Sequence, residues 1–238
     1  MNVLIVVTHL LGVGHLARAA ALGRALARAG HAVTLVSGGR AAPNVPMDGV
    51  DLVQLPPVHV RGTDFRTLYD DRGKVVSDAF RQSRIALLRA TVRRVQPAVV
   101  VVELFPFGRR QLRSEFLEML EERNMLGPET VVLSSVRDVL APPGSIEKAA
   151  FAEAMLAEHF DGVLVHGDPA VLPLEASWPV SRGLAKVLRY TGYVTEAGVV
   201  PPVAGERRDI LVSGGGSESS LPILVAASGA ARLMPDRR

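Results

Sequence analysis

Cysteine is absent from all 238 residues, which excludes disulfides and thiolate metal sites. Aromatic residues are few, with one Trp, three Tyr and seven Phe, and they are not interleaved with basic residues in the manner of base-stacking platforms. Charge of one sign is not in great excess either. The formal net charge is +3 and the arginines are spread along helical stretches, so no nucleic-acid partner is expected. No uninterrupted apolar run approaches the roughly 18 residues that span a bilayer, which leaves at most peripheral membrane contact. The apolar start lacks a basic flank, carries His9 and breaks at Gly12, so it reads as a buried strand and not as a secretory leader. A cytoplasmic location is the default expectation. No Gly-x-x-x-x-Gly-Lys-Ser/Thr occurs, which excludes a P-loop.

Apolar residues make up 48% and charged residues 21% of the chain, enough to enclose a substantial core in one or two domains of roughly 100–200 residues each. The chain opens with Val3-Leu-Ile-Val-Val-Thr8, turns at Gly12-Val-Gly-His15 and runs into an Ala- and Leu-rich helical stretch ending near Ala29. Wound at the helical period, Leu16, Ala19, Ala20, Leu22, Gly23, Leu26 and Ala27 share one arc, with Arg18, Arg24 and Arg28 outside it. That amphipathic helix packs on a sheet and leaves His15 at the rim between core and crevice. Branched-aliphatic runs at 2–8, 31–37, 51–55, 98–103, 130–135 and 162–166 predict further strands. With helical stretches between them, they predict an α/β fold, a Rossmann-like parallel sheet with helices on both faces.

The segment from Pro56 to Lys74 is long for a connection and reads as a functional or mobile loop; within it, Asp70-Asp71 reads as a solvated turn. A helix over about 75–95 is expected to bury a Val76, Phe80, Ser83, Leu87, Ala90 stripe. Helices over about 110–124 and 147–160 are expected to bury Leu112, Phe116, Met119 and Leu120, and Phe151 and Met155, respectively. The first domain is expected to span residues 1–195, followed by a Pro- and Gly-rich linker over 196–208. Residues 209–238 repeat the same grammar, Asp209-Ile-Leu-Val-Ser213, Gly214-Gly-Gly-Ser217, then an apolar helical stretch from about Ser219 to Leu233. One strand and one helix cannot enclose a core. The expectation is a truncated second Rossmann-like domain whose Leu221, Ile223, Leu224 and Val225 pack on the first domain, self-associate with another chain, or stay partly exposed.

The dinucleotide fingerprint Gly-x-Gly-x-x-Gly fails at Ala17, and the second strand ends in Val36-Ser-Gly-Gly-Arg40 without an acidic residue, so a nicotinamide enzyme is disfavoured. What remains is a series of strand-end motifs: Gly12-Val-Gly-His15-Leu-Ala-Arg18, Glu103-Leu-Phe-Pro106-Phe-Gly108, Ser135-Val-Arg-Asp138, His166-Gly-Asp-Pro169, and Tyr190-Thr-Gly-Tyr193 before Val212-Ser-Gly-Gly-Gly216. In this order the chain resembles the predicted glycosyltransferases of the two-Rossmann-domain (B-type) fold, related to the lipid-linked N-acetylglucosaminyltransferases of peptidoglycan synthesis.

The resemblance implies an acceptor-side N-terminal domain and a nucleotide-sugar donor, UDP-sugar being the type case, held by the second. It also implies that His15 removes the proton of an acceptor hydroxyl; an imidazole is a base at neutral pH. Glu103 is the candidate to orient it. Gly12, Gly14, Arg18, Arg137 and Asp138 are candidate substrate-binding residues, Arg137-Asp138 being equally readable as a surface ion pair. Asp168-Pro169 reads as a helix N-cap followed by proline. Gly214, Gly215, Gly216 and Ser217 are placed to approach a donor diphosphate. No metal and no cofactor is expected, the nucleotide-sugar being a substrate. The sequence departs from the family beyond Arg238, where the base-binding loop and the acidic residue gripping the donor ribose would follow. The leading expectation is a metal-independent hexosyltransferase. Its rivals are a nucleotide-sugar hydrolase, in which water replaces the acceptor, and a non-catalytic binding module.

Overall fold

Five of the six branched-aliphatic runs form strands that bury both faces in the interior of a covered parallel sheet, while the run at 51–55 forms its exposed edge. A computed structural model describes residues 1–62, 64–125, 127, 129–195, 210–214 and 220–234. The strands are β1 (Asn2–Val7), β2 (Ala32–Ser37), β3 (Val50–Gln54), β4 (His59–Arg61), β5 (Asp64–Tyr69), β6 (Val99–Glu103), β7 (Val131–Arg137), β8 (Gly162–His166) and β9 (Leu188–Tyr190). Helices α1 (Gly14–Arg28), α2 (Asp78–Val95), α3 (Arg113–Asn124), α4 (Ile146–His159), α5 (Arg182–Val187) and α6 (Leu221–Leu233) lie between or after them. Seven strands make one parallel sheet in the order β3-β2-β1-β6-β7-β8-β9, and β4 pairs with β5 in a separate antiparallel hairpin.

The order is that of a Rossmann-like sheet, built outwards from β1 in both directions. After β3 the chain crosses back and lays β6 along the free side of β1, pairing Val3 with Val99 and Val6 with Val102. Strand direction of growth therefore reverses between β1 and β6, and the crevice beyond their carboxyl ends is where such folds collect ligands.

Alternate residues of one strand serve opposite faces. Val3, Ile5 and Val7 pack with Leu16, Ala19 and Ala20 of α1, while Leu4 and Val6 pack with Leu88 and Val92 of α2 and Met119 of α3. Gly23 brings α1 close to the sheet, since a Cβ there would lie 3.3 Å from Val50. A third cluster, centred on Val163, Val165 and Trp178, extends the core beneath β7 and β8.

The structure corrects the sequence expectation in several places. The loop expected between Pro56 and Lys74 contains the β4–β5 hairpin, and β9 adds a short edge strand beside β8. In α2 the buried face is Arg84, Ile85, Leu88, Thr91 and Val92, whereas Ser83, Leu87 and Ala90 face outwards. The cause is Arg84. Its guanidinium has no exposed surface and grips Glu115 of α3 bidentately, Nε to Oε1 at 2.9 Å and Nη2 to Oε2 at 2.8 Å. Nη1 donates to the carbonyls of Gly38 and Pro56, so a charged residue that periodicity scores as surface ties two helices to the ends of β2 and β3. Of the other helical assignments, Leu112, Phe116, Met119, Leu120 and Met155 are buried as expected, whereas Phe151 is only half-buried.

The strand expected over 209–213 is absent from the described residues 210–214, which pair with no strand among the described residues. A strand without a partner leaves its N–H and C=O groups unbonded. Helix α6 forms, yet none of its residues is buried, and Leu221, Ile223, Leu224 and Val225 are exposed. The expected linker over 196–208 lies outside the described residues. Asp168 does not cap a helix; its Oδ1 accepts from the Ala170 N–H at 2.8 Å in a local turn. Asp70 likewise accepts from the N–H groups of Arg72 and Lys74 at its own turn.

Removing one partner of the buried pair strands the other charge in the core. Arg84→Met is expected to lower stability by about 3–5 kcal/mol, and Arg84→Met with Glu115→Leu to regain much of that loss. Urea unfolding checks both; a double variant that is the less stable contradicts the assignment.

Candidate active site

Four parallel strands and one helix deliver their terminal residues to the same spot. His15 occupies the second position of α1, immediately beyond the turn after β1, and Arg18 follows one helical turn later on the same face. Glu103 is the last residue of β6, Ser135 lies beside it in register on β7, His166 ends β8, and Thr191 follows β9. Helix α1 has no side-chain cap at its N-terminus, so its first N–H groups remain free for an anion.

His15 Nδ1 lies 2.9 Å from Glu103 Oε1, and the Arg18 guanidinium donates to the same oxygen. The His15 side chain is 27% exposed, against 2% for Glu103, so the imidazole sits at the rim while its partner is enclosed. The other carboxylate oxygen, Oε2, is 2.5 Å from Ser135 Oγ. Ser135 Oγ lies 3.0 Å from His166 Nε2, and His166 Nδ1 lies 2.7 Å from Thr191 Oγ1. A continuous series of hydrogen bonds thus runs from His15 to Thr191.

The electrostatics fix its direction. Burial alone would push the Glu103 carboxyl up, but the His15 hydrogen bond, the Arg18 charge and the Ser135 hydroxyl outweigh it and hold the group below its ordinary 4.5. An ionised carboxylate only accepts. Ser135 therefore donates to Oε2, which leaves its own oxygen to accept from His166 Nε2–H. Burial pushes His166 down to about 4, helped by Arg18 and opposed by Glu103, so the ring is neutral and its Nδ1 accepts from Thr191. At the other end His15 donates through Nδ1–H to the Glu103 carboxylate, and its Nε2 makes no hydrogen bond among the described residues. These tautomers follow from the bonding network.

Two further groups border the pair. Arg109 donates through Nε to the Thr8 carbonyl at 2.7 Å, and burial lowers it to about 10 against the pull of Glu103, so it stays cationic at neutral pH. His9 is buried and pushed below its ordinary 6.5, chiefly by burial, with Arg109 and His15 acting in the same direction. The close fit of β1 against β2 needs Gly38 and Gly39, where an added Cβ would fall 2.2 Å from Thr8 Oγ1 and 2.3 Å from the His9 carbonyl oxygen.

The other expected site residues divide. Gly14 opens α1 and borders open space, with nothing within 4 Å of an added Cβ, and Gly12 lies in the turn before it. Arg137 and Asp138 form an ion pair with each other at 3.3 Å, and among the described residues neither touches His15 or Glu103. Gly214 abuts Ser220, where a Cβ would meet the serine Cβ at 2.6 Å; Gly215, Gly216 and Ser217 lie outside the described residues. Sequence reasoning quoted Ser135, His166 and Thr191 inside motifs without giving them a task. The available signal was that each stands within two residues of the carboxyl end of a strand.

No protein-family model matches the chain, and no curated protein is similar to it in sequence. Several solved structures align with the chain at low identity. The chain is 14% identical to MurG of Acinetobacter baumannii over 90% of its own length and 53% of that structure, with a TM-score of 0.46. For SsfS6, a Streptomyces sp. SF2575 glycosyltransferase, identity is 17% over 96% of this chain and 64% of that one, at a TM-score of 0.49. For CalG4, the calicheamicin glycosyltransferase, identity is 13% over 81% and 53%, at 0.46. The chain thus spans about half to two-thirds of the length of these structures.

Because His166 is neutral when folded but titrates near 6.5 when unfolded, the unfolded chain binds the extra proton between about pH 6.5 and 4, and acidification through that window favours unfolding. The shift corresponds to about 3 kcal/mol lost across the window. His166→Asn is expected to flatten this part of the stability profile, measured by urea unfolding from pH 7 to 4. A variant as steep as the wild type contradicts the neutral, buried ring.

Proposed function

We propose that the chain carries the acceptor side and catalytic base of a glycosyltransferase that moves a hexose-type sugar from a nucleotide-sugar, UDP-sugar being the first candidate, to a hydroxyl acceptor without a metal. The observation that carries this reading is the contact of half-exposed His15 with buried, ionised Glu103 at the point where the sheet reverses its order. The motif order in the sequence supports it independently.

In this reading His15 Nε2 takes the proton of the acceptor hydroxyl while the acceptor oxygen forms a bond to the anomeric carbon and the bond to the diphosphate breaks. The electron pair of that bond leaves on the diphosphate. Glu103 holds the ring in the Nδ1–H tautomer and stabilises the imidazolium as it forms. Ser135, His166 and Thr191 keep the carboxylate in place by supplying a donor to its second oxygen. Gly12 and Gly14 leave the backbone at the mouth of α1 open to substrate, and Arg18 adds a cation beside it. Arg137 and Asp138 border the same sheet edge as acceptor contacts. Gly214, Gly215, Gly216 and Ser217 would receive the donor diphosphate, with N–H groups offsetting its charge.

His15→Ala is expected to lower turnover by roughly 10²–10⁴-fold, the usual weight of a general base, with a modest loss of thermal stability, because Arg18 still donates to the Glu103 oxygen that loses the imidazole. Glu103→Gln is expected to lower turnover with little change in KM. The assay follows sugar transfer from UDP- and dTDP-sugars by mass spectrometry. Unchanged turnover in His15→Ala rules the assignment out, and release of free sugar alone would mean that water is the acceptor.

A further inference from the structure

Beside the carboxyl edge of the sheet, between the β4–β5 hairpin and the segments that follow β6 and β7, lies a cavity of about 670 Å³. Its apolar wall is formed by Phe65, Leu104, Phe107, Leu140 and Trp178. Phe107 and Trp178 meet edge to face with ring centroids 5.1 Å apart, which stiffens that wall. Besides Arg109, whose Nε is held by the Thr8 carbonyl, the lining carries three further cations, Arg66, Arg110 and Lys148, and no carboxylate. None of these three cations forms an ion pair among the described residues.

Two donors there lack an acceptor. Arg110 Nη1 and Trp178 Nε1 are both shielded from solvent and have no hydrogen-bond partner within the described chain, although buried N–H donors are nearly always satisfied. Trp178 itself is only 2% exposed. The cavity also adjoins the site. Leu104 follows Glu103 directly, and the next lining residue after Gly108, Arg109, reaches across to the Thr8 carbonyl at the end of β1. Leu104 takes a left-handed backbone, φ 69°, with its N–H bonded to the Ser135 carbonyl and its own carbonyl to Gly108 N–H. That turn swings the chain from the buried carboxylate into the cavity wall.

An unpaired cationic rim over an aromatic floor selects a ligand with the opposite pattern. We infer that this cavity binds an acceptor with an apolar body and one oxyanion group, a carboxylate or a phosphate, its apolar part on the Phe107–Trp178 wall and its charge on Arg66 and Arg110. The assignment rests on the transferase reading only for the word acceptor; the cavity and its charge are independent of it. Guanidinium forks match both oxyanions.

Trp178 is the single tryptophan of the chain, so intrinsic fluorescence reads the cavity without any turnover. The probes are adamantane carboxylate, adamantyl phosphate and adamantane methanol, which share one apolar body and differ in charge. Both anions are expected to shift Trp178 emission saturably, with a Kd roughly tenfold below that of the alcohol, the size of a charge-assisted contact. The tighter anion names the group. Arg66→Gln with Arg110→Gln is expected to raise the anion Kd to that of the alcohol, with an unchanged circular dichroism spectrum. His15→Ala is expected to bind all three probes as the wild type does.

Equal affinity for the alcohol and the anions, no emission change, or an unaltered Kd in the double arginine variant overturns the inference. The two readings fail separately. Probe binding that persists in a protein showing no sugar transfer leaves the cavity assignment standing and removes the transferase reading. Transfer that proceeds with the same KM for neutral and anionic acceptors of one skeleton does the reverse.

Discussion

A carboxylate buried at the end of a central strand is unfavourable unless every lone pair is answered, and Glu103 sets that condition for the whole carboxyl edge of the sheet. One oxygen is answered by His15 and Arg18 from α1, the other by Ser135 from β7. Ser135 is answered in turn by His166 from β8, and His166 by Thr191 beyond β9. A single ionised group thereby fixes the tautomers of two histidines and the rotamers of two hydroxyl side chains. The imidazole at the outer end is left with one free nitrogen.

Topology makes this arrangement attainable. Where the sheet reverses its direction of growth, between β1 and β6, the chain leaves two adjacent strands toward opposite sides. The Arg84–Glu115 pair secures the opposite side of the same edge, holding Gly38 and Pro56 against α2 and α3. The two buried ionic clusters thus anchor the ends of β2, β3 and β6 on which the site depends. The β4–β5 hairpin extends over the edge and contributes Phe65 and Arg66 to the neighbouring cavity.

Much of this was legible in the residues. Runs such as Val99-Val-Val-Val-Glu103 can only be interior parallel strands, and the arc of Leu16, Ala19, Ala20 and Gly23 placed α1 on the sheet with His15 at the rim. Glu103 was a candidate partner for His15 because both lie at the carboxyl edge of the sheet, and the structure brings them into contact. What was not legible depends on contacts distant in sequence. The register of Ser135 beside Glu103, 32 residues away, has no local signature. Arg84 misled the helical pattern because a fully buried arginine is satisfied by a partner on another helix, which periodicity does not record. The hairpin was missed because Val58-His-Val60 and Phe65 to Tyr69 lack the two-residue Asn-Gly or Asp-Gly turn that announces one. The strand over 209–213 was expected because the segment repeats the strand, glycine turn and helix order of the N-terminus, a pattern that does not by itself provide strand pairing for the described residues 210–214.

The most direct test is the protonation state of the His15 ring itself, read from its nitrogen chemical shifts in the ¹⁵N-labelled protein above neutral pH. The account predicts a proton on Nδ1, hydrogen-bonded to Glu103 and lost from its downfield position in Glu103→Ala, with Nε2 unprotonated. A ring protonated on Nε2, or one indifferent to the loss of Glu103, would contradict it.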